Sequence, residues 1–200
     1  MALVVSVLQN DLLSVFLAMN NIYENGDRYM ADNVAAKIKS YILTGNTQTT
    51  DTGTAPAGAY TGKGSGKMTI DNSSLANDLY STFVNLKDND DLASRMAADI
   101  DKACSAQNTV AETSTGTVTT SSGATSAFSG TAQGKFSGNK AVIESKLKSC
   151  FSAMDSMTSG GNEYFAKEMA EAVDSYLKNG TISVTLKSPF IAGSGTGKIQ

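Results

Sequence analysis

Apolar residues near the start of the chain recur every three or four positions, which is the spacing of a helix with one buried face. A first stripe begins at Leu3 and a second at Tyr29, and the polar residues 24–27 separate them. Gly45 follows the second stripe, at the place where a glycine commonly ends a helix. The pattern therefore predicts a hairpin of two helices, over residues 3–24 and 27–44.

After the helices the period changes to two, which is typical of β-strands. Ile182, Val184 and Leu186 fall on one face of such a strand, and Ser188 and Pro189 follow as a turn. The next segment alternates glycine with polar residues between apolar ends. Because glycine weakens a strand, a row of glycines on one face indicates that a helix or another backbone lies very close to it. The glycines that carry this interpretation are Gly62, Gly64, Gly66, Gly130, Gly134, Gly193, Gly195 and Gly197.

The chain repeats this plan three times. Residues 10–45 align with residues 144–180 apart from one residue near the start, and a degenerate third copy lies between them. We predict units at residues 1–71, 72–138 and 139–200, with further helices over residues 74–87, 91–106, 140–157 and 162–178 and arms over residues 46–71, 108–138 and 181–200. The matched positions predict a core shared by the copies, formed by Phe16, Met19, Tyr29, Tyr41, Phe83, Ile100, Phe151, Met154, Tyr164 and Tyr176.

These patterns predict an α+β fold of three internal repeats, each a helical hairpin followed by a two-stranded Gly/Thr-rich β-arm. Large apolar residues are nearly missing from residues 46–59 and 108–127. Two interpretations of these stretches remain open: a disordered linker, or a β-arm that becomes ordered when it meets a partner chain. Since a catalytic site is normally unique in its chain, a structure built by repetition favours a scaffold or a binding surface.

The composition argues against several kinds of chemistry. The chain has no histidine and no tryptophan, so the commonest general acid–base group, which is also the commonest metal ligand, is missing. Cys104 and Cys150 stand where other copies have apolar residues, which favours buried thiols over a zinc site or a disulfide.

A net charge of −3 gives no basic surface for nucleic acid. No apolar run approaches the roughly 20 residues of a membrane helix, and the first residues lack a signal-peptide pattern, so we expect synthesis in a cytosol and no membrane partner.

Two local motifs have structural explanations. Residues 62–67 resemble a phosphate-binding loop, but the glycine spacing is too short and Met68 stands where a Ser or Thr would hold magnesium. The acidic residues Asp88, Asp90 and Asp91 suit the positively polarised start of a helix. We therefore predict no catalytic, cofactor-binding or metal-binding residue and no cofactor.

One lysine recurs in the glycine segment of every copy, as Lys67, Lys135 and Lys198. Two interpretations stay open for these lysines. They are solvated lysines that guard a sheet edge against pairing with other strands, or they pair with an acid on a neighbouring subunit.

The loop of residues 159–166 and the Gly-Ser-Gly-Thr-Gly-Lys segment near the end of the chain resemble those of small virion structural proteins of tailed bacteriophages and phage-tail-like particles. The resemblance implies a non-enzymatic neck, tail or capsid-surface subunit, made in the host cytoplasm and built into the virion. It also implies a homo-oligomer in contact with other virion proteins. From the small size of each unit and the threefold repetition we expect an assembly in which the arms reach neighbouring chains and become ordered by strand addition. The alternative is a soluble or secreted binding module or effector whose Thr/Gly-rich arms bind a host ligand.

Overall fold

A computed structural model describes residues 3–188 and 190–200. Each third of the chain forms two helices and then two strands. The first third contains α1 (Val5–Met19), α2 (Gly26–Thr44), β1 (Thr47–Ala55) and β2 (Gly58–Met68). The second contains α3 (Asn72–Val84), α4 (Asn89–Ser105), β3 (Val110–Thr120) and β4 (Thr125–Ser137). The third contains α5 (Ala141–Met154), α6 (Gly161–Asn179), β5 (Thr181–Lys187) and β6 (Ala192–Ile199).

Local sequence explains where two of the helices begin. The Asp71 carboxylate accepts a hydrogen bond from the Ser73 amide at the start of α3, and Asp88 accepts one from the Asp91 amide at the start of α4. Each bond satisfies an amide that has no partner inside its helix. The acidic residues around position 90 therefore begin a helix, as predicted.

The six helices form a closed ring. Each helix packs against its two neighbours in chain order, and α1 packs against α6 to complete the circle. Two tyrosines join second helices of different repeats: the Tyr41 hydroxyl donates to Asp174 at 2.5 Å, and the Tyr176 hydroxyl donates to Asp101 at 2.6 Å. The helical hairpins are therefore packed into one bundle.

The six strands form a closed antiparallel barrel in the order β1-β2-β3-β4-β5-β6, and β6 pairs with β1. The register is the same in all three hairpins, because Thr47 faces Gly66, Val110 faces Gly134 and Ile182 faces Gly197. The register between repeats is also the same: Met68 faces Val110, Phe136 faces Ile182 and Ile199 faces Thr47. Three equivalent units therefore surround one axis, with pseudo-threefold symmetry.

This barrel corrects the predicted fold. The α+β class holds, but an arrangement of separate two-stranded arms is wrong, because every hairpin pairs with the other two. Residues 46–59 and 108–127 are neither a disordered linker nor arms that need a partner chain for order, since most of them lie in barrel strands. Each of the six described strands pairs with a neighbour on both sides over part of its length, and unpaired edges remain only near the barrel's turns, as at residues 125–130 of β4, so few positions are open to strand addition from a neighbouring chain.

The helical bundle lies at one end of the barrel. The helix–strand contacts join α2 with β2, α4 with β4 and α6 with β6. The ends of these strands fill the junction with the buried side chains of Met68, Phe136 and Ile199. The ring of Phe136 packs edge-on against that of Tyr176, with centroids 5.2 Å apart. The strand-connecting turns therefore lie at the opposite end, which we call the barrel mouth.

Candidate functional site

The aromatic residues predicted as a shared core lie in the helical bundle. Phe16, Phe83 and Phe151 are 4%, 8% and 8% exposed and occupy the last turns of α1, α3 and α5. Phe165 stacks on Phe16 at a centroid distance of 4.7 Å and lies 5.4 Å from Phe151. Of the other predicted core residues, Tyr41, Ile100 and Tyr176 are buried, and Met19, Tyr29, Met154 and Tyr164 are half-buried. These side chains hold the helices together.

The glycine rows face the interior of the barrel. An added Cβ at Gly62, Gly66, Gly134, Gly193 or Gly197 would overlap a carbonyl oxygen of an adjacent strand. At Gly130 it would meet the ring of Phe128. At Gly64 and Gly195 it would meet buried side chains, including that of Asp51. The glycines therefore make room for neighbouring strands and for interior side chains, and no helix lies over them.

The recurring lysines lie on the outside of the barrel. Lys67 Nζ donates to the carbonyl oxygens of Leu43 and Gly45, at 3.0 Å each. Leu43 lies in the last turn of α2, and Gly45 directly follows the helix. A positive charge is favourable at this end of a helix. Lys135 and Lys198 are exposed at the equivalent positions of β4 and β6. At least Lys67 thus has a role within its own chain.

A polar cluster lies inside the barrel, and the sequence patterns did not point to it. We call Thr49, Asp51, Tyr60, Glu112 and Ser114 the interior cluster. Asp51 is fully buried and Glu112 is 5% exposed, and they are the only acidic residues in the six strands. A usable signal was present, because both acids occupy inward-facing positions of alternating strands that otherwise carry uncharged residues.

The interior cluster is confined to two of the three repeats. In the common register Thr49 and Glu112 are equivalent to Val184, and Asp51 and Ser114 are equivalent to Leu186. The third repeat thus supplies an apolar wall opposite the polar residues. This difference breaks the threefold symmetry at the centre of the barrel.

The barrel mouth carries an apolar pocket of about 300 Å³. Its lining is formed mainly by Ala55, Pro56, Ala57, Val118, Phe128, Phe190 and Ile191. Phe190 is 69% exposed. The ring of Phe128 packs edge-on against buried Tyr60, with centroids 5.2 Å apart, and so separates the mouth from the interior cluster. A pocket with no ionisable lining residue is suited to binding and offers no group for acid–base chemistry.

The two thiols are buried, as predicted, and neither forms a disulfide. Burial, reinforced by the nearby charge of Asp101, holds the pKa of Cys104 far above its usual range. Burial, with a smaller effect of Glu168, raises the pKa of Cys150 to about 11. Both sulfurs therefore stay protonated at neutral pH, and neither is an activated nucleophile.

Within residues 3–188 and 190–200, no three His, Cys, Asp or Glu side chains lie close enough to hold a metal ion together. The helices in the same part of the chain are too short or too polar to cross a bilayer.

The chain matches no protein-family model, no curated protein and no solved structure. Its function is therefore inferred from the fold and from the surfaces described above.

Proposed function

We propose that the protein is a non-enzymatic structural subunit of a phage particle, in the neck, the tail or on the capsid surface, that acts through protein–protein contacts. The observation that carries the proposal is the closure of three repeats in a common register around one axis. A single chain of this kind has the symmetry of a trimer. It matches partner assemblies that are themselves arranged around a threefold or sixfold axis.

The barrel mouth is the surface that best fits a contact with another virion protein. Its apolar floor and the exposed Phe190 ring are bordered by polar residues such as Thr120 and Ser126. An aromatic centre with a polar rim is the usual anatomy of a protein interface. Self-association, which the sequence also predicts, would mainly use such side-chain surfaces, because most strand edges are already paired within the barrel.

The same pocket favours a second candidate from another functional class. At about 300 Å³ it lies at the lower end of the size range of small-molecule sites. A soluble or secreted binding module could hold an apolar ligand there. The two proposals can be distinguished by experiment, because a virion subunit is found in purified particles and a soluble or secreted binding module is found outside them.

Quantitative mass spectrometry of purified particles from the source of this chain tests the proposal. A structural subunit should be recovered with the particles at a fixed ratio to the other virion proteins after gradient purification. The variant Phe190→Ser should reduce this ratio, whereas Val84→Ser, at an exposed apolar position of α3 in the helical bundle, should not. Recovery of the wild-type chain only outside the particles would contradict a virion role and favour the binding module.

A further inference from the structure

The interior cluster forms one continuous hydrogen-bonded chain. The Tyr60 hydroxyl lies 2.7 Å from the Ser114 hydroxyl, and Ser114 bonds to one carboxyl oxygen of Asp51. Thr49 Oγ1 lies 2.7 Å from the other Asp51 oxygen, Oδ1, and 2.7 Å from Glu112 Oε2. The cluster thus contains four close oxygen–oxygen contacts.

These four contacts need four hydrogen atoms, one for each hydrogen bond. Tyr60, Ser114 and Thr49 supply one hydroxyl hydrogen each, and an ionised carboxylate supplies none. Three hydrogens cannot make four hydrogen bonds. The missing hydrogen must therefore come from one of the two carboxyl groups.

The charges inside the barrel lead to the same requirement. Among the described residues of β1, β2 and β3, the ionisable side chains on the inner face are Asp51, Tyr60 and Glu112. The inner faces of β4, β5 and β6 carry none in the described part of the chain. No cation therefore faces the pair from any strand. Two carboxylates bridged by a single hydroxyl in such a site repel each other strongly, and one of them is favoured in its neutral form.

The hydrogen-bond partners distinguish the two acids. Asp51 can accept from both Thr49 and Ser114. Glu112 has one oxygen near Thr49, whereas its buried Oε1 has no hydrogen-bond partner. An unpartnered oxygen is tolerated better on a neutral acid than on a buried anion. The negative charge is therefore better placed on Asp51 and the hydrogen on Glu112.

We propose that the barrel interior binds one proton at neutral pH, held on Glu112 Oε2 and donated to Thr49 Oγ1, while Asp51 stays ionised. Thr49 then donates to Asp51 Oδ1, Ser114 donates to the other Asp51 oxygen, and Tyr60 donates to Ser114. Each of the four contacts receives one hydrogen. The folded barrel is a proton-binding site as well as a scaffold.

The site makes the stability of the protein depend on pH in a defined direction. In the unfolded chain both carboxyls are exposed to water and ionised at neutral pH. The folded chain binds one proton more, so its stability falls as the pH rises. One extra proton in the folded state corresponds to an unfolding equilibrium constant that rises about tenfold per pH unit above about pH 5, until the folded pair releases its proton.

The variant Glu112→Gln tests the proposal, because a glutamine amide can donate permanently to Thr49 Oγ1. Urea unfolding between pH 5 and pH 9 measures the unfolding constants of wild type, Glu112→Gln and the exposed control Glu24→Gln. The ratio of the wild-type constant to that of Glu112→Gln should rise about tenfold per pH unit. The corresponding ratio for Glu24→Gln should stay flat.

Infrared spectroscopy of the folded wild-type protein at pH 7 gives a second readout that does not require the variant to fold. The proposal predicts the carbonyl stretching band of a protonated carboxylic acid, and Glu112→Gln should lack it. A wild-type spectrum without this band would overturn the proposal. So would a bound sodium or calcium ion detected by native mass spectrometry together with two ionised carboxylates, since a metal ion would then replace the proton.

Discussion

At the scale of single residues, the glycine segments are explained by what an added methyl group would displace. A Cβ on Gly64 would lie within 3.1 Å of oxygen atoms of Thr49, Glu112 and Asp51, all inside the closed barrel. A real Cβ essentially never lies less than 3.0 Å from another heavy atom, as this one would from Thr49 and Glu112, so the interior cluster would have to move.

Gly64→Ala should therefore lower the free energy of unfolding by about 1–3 kcal/mol, the usual cost of overpacking a core. Gly161→Ala is the matched control, because its Cβ would meet only the end of Met154 at 3.6 Å. This control should be neutral or stabilising by about 0.4–1 kcal/mol. Urea unfolding at one pH measures both. Equal stabilities of the two variants would mean that Gly64 does not face a filled interior.

A second residue, Asp99 of α4, should give a pH-dependent effect in the helical bundle. Its pKa is raised, chiefly by burial, although the Thr82 hydroxyl donates to it at 2.7 Å and favours the charged form. A carboxyl with a raised pKa in the folded state stabilises the protein when protonated, and this contribution is lost as the pH rises.

Asp99→Asn keeps an oxygen that can accept from Thr82 and removes the buried charge. Its melting temperature relative to wild type should therefore be higher at pH 7 than at pH 4. Asp27→Asn, an exposed position in the first turn of α2, serves as the control and should show no such gain at pH 7. A relative melting temperature of Asp99→Asn that is lower at pH 7 than at pH 4 would contradict the assignment.

At the scale of the elements, Lys67 links a barrel strand to the end of a helix. Its ammonium group binds two carbonyls at the end of α2, the helix that leads directly into β1. Because these carbonyls have no partner within the helix, the lysine acts as a C-terminal cap supplied by another element.

Lys67→Met should destabilise the protein by about 0.3–1 kcal/mol, the usual worth of a cation at a helix C-terminus. It should also speed amide hydrogen exchange in the last turn of α2. Lys63→Met, on the same outer face of β2, should leave both properties unchanged. Faster exchange in both variants would indicate a general effect of charge removal and not the loss of a cap.

The helical hairpins follow from the sequence because their apolar spacing is local. The stripe containing Phe16 and the stripe containing Tyr41 are complete within one repeat, so three- and four-residue spacing is enough to place them. The barrel does not follow in this way, since Thr47 pairs with Ile199 across almost the whole chain. Local period-two patterning indicates a strand but does not name its partner.

The interior cluster escaped prediction for a related physical reason. Asp51 and Glu112 look like ordinary surface acids in Thr-rich segments, and they become buried only when the barrel closes. Glycines opposite them, such as Gly64 and Gly195, provide the space. Each acid is in phase with the inward-facing residues of its own strand, but the link between the two acids was hidden until the register of the non-adjacent strands β1 and β3 was known.

At the scale of the whole molecule, the central claim is that one chain closes its own barrel. The alternative expected from the sequence was that strands of one chain pair with those of a neighbour. The two arrangements have the same local hairpins and differ in whether β1 meets β6 of the same chain. The pair Thr52 and Ser194 lies at this closure, directly opposed on the outer face.

The most direct test replaces Thr52 and Ser194 with cysteine and oxidises the purified protein at low concentration. Opposed residues of adjacent strands lie within reach of a disulfide. We expect a bridge within one chain, a monomer on a non-reducing gel, and a higher melting temperature. Cysteines at Thr52 and Ser129 should not form such a bridge, because β1 and β4 are not neighbours. A bridge between two chains, or no bridge at all for Thr52 and Ser194, would contradict the self-closed barrel.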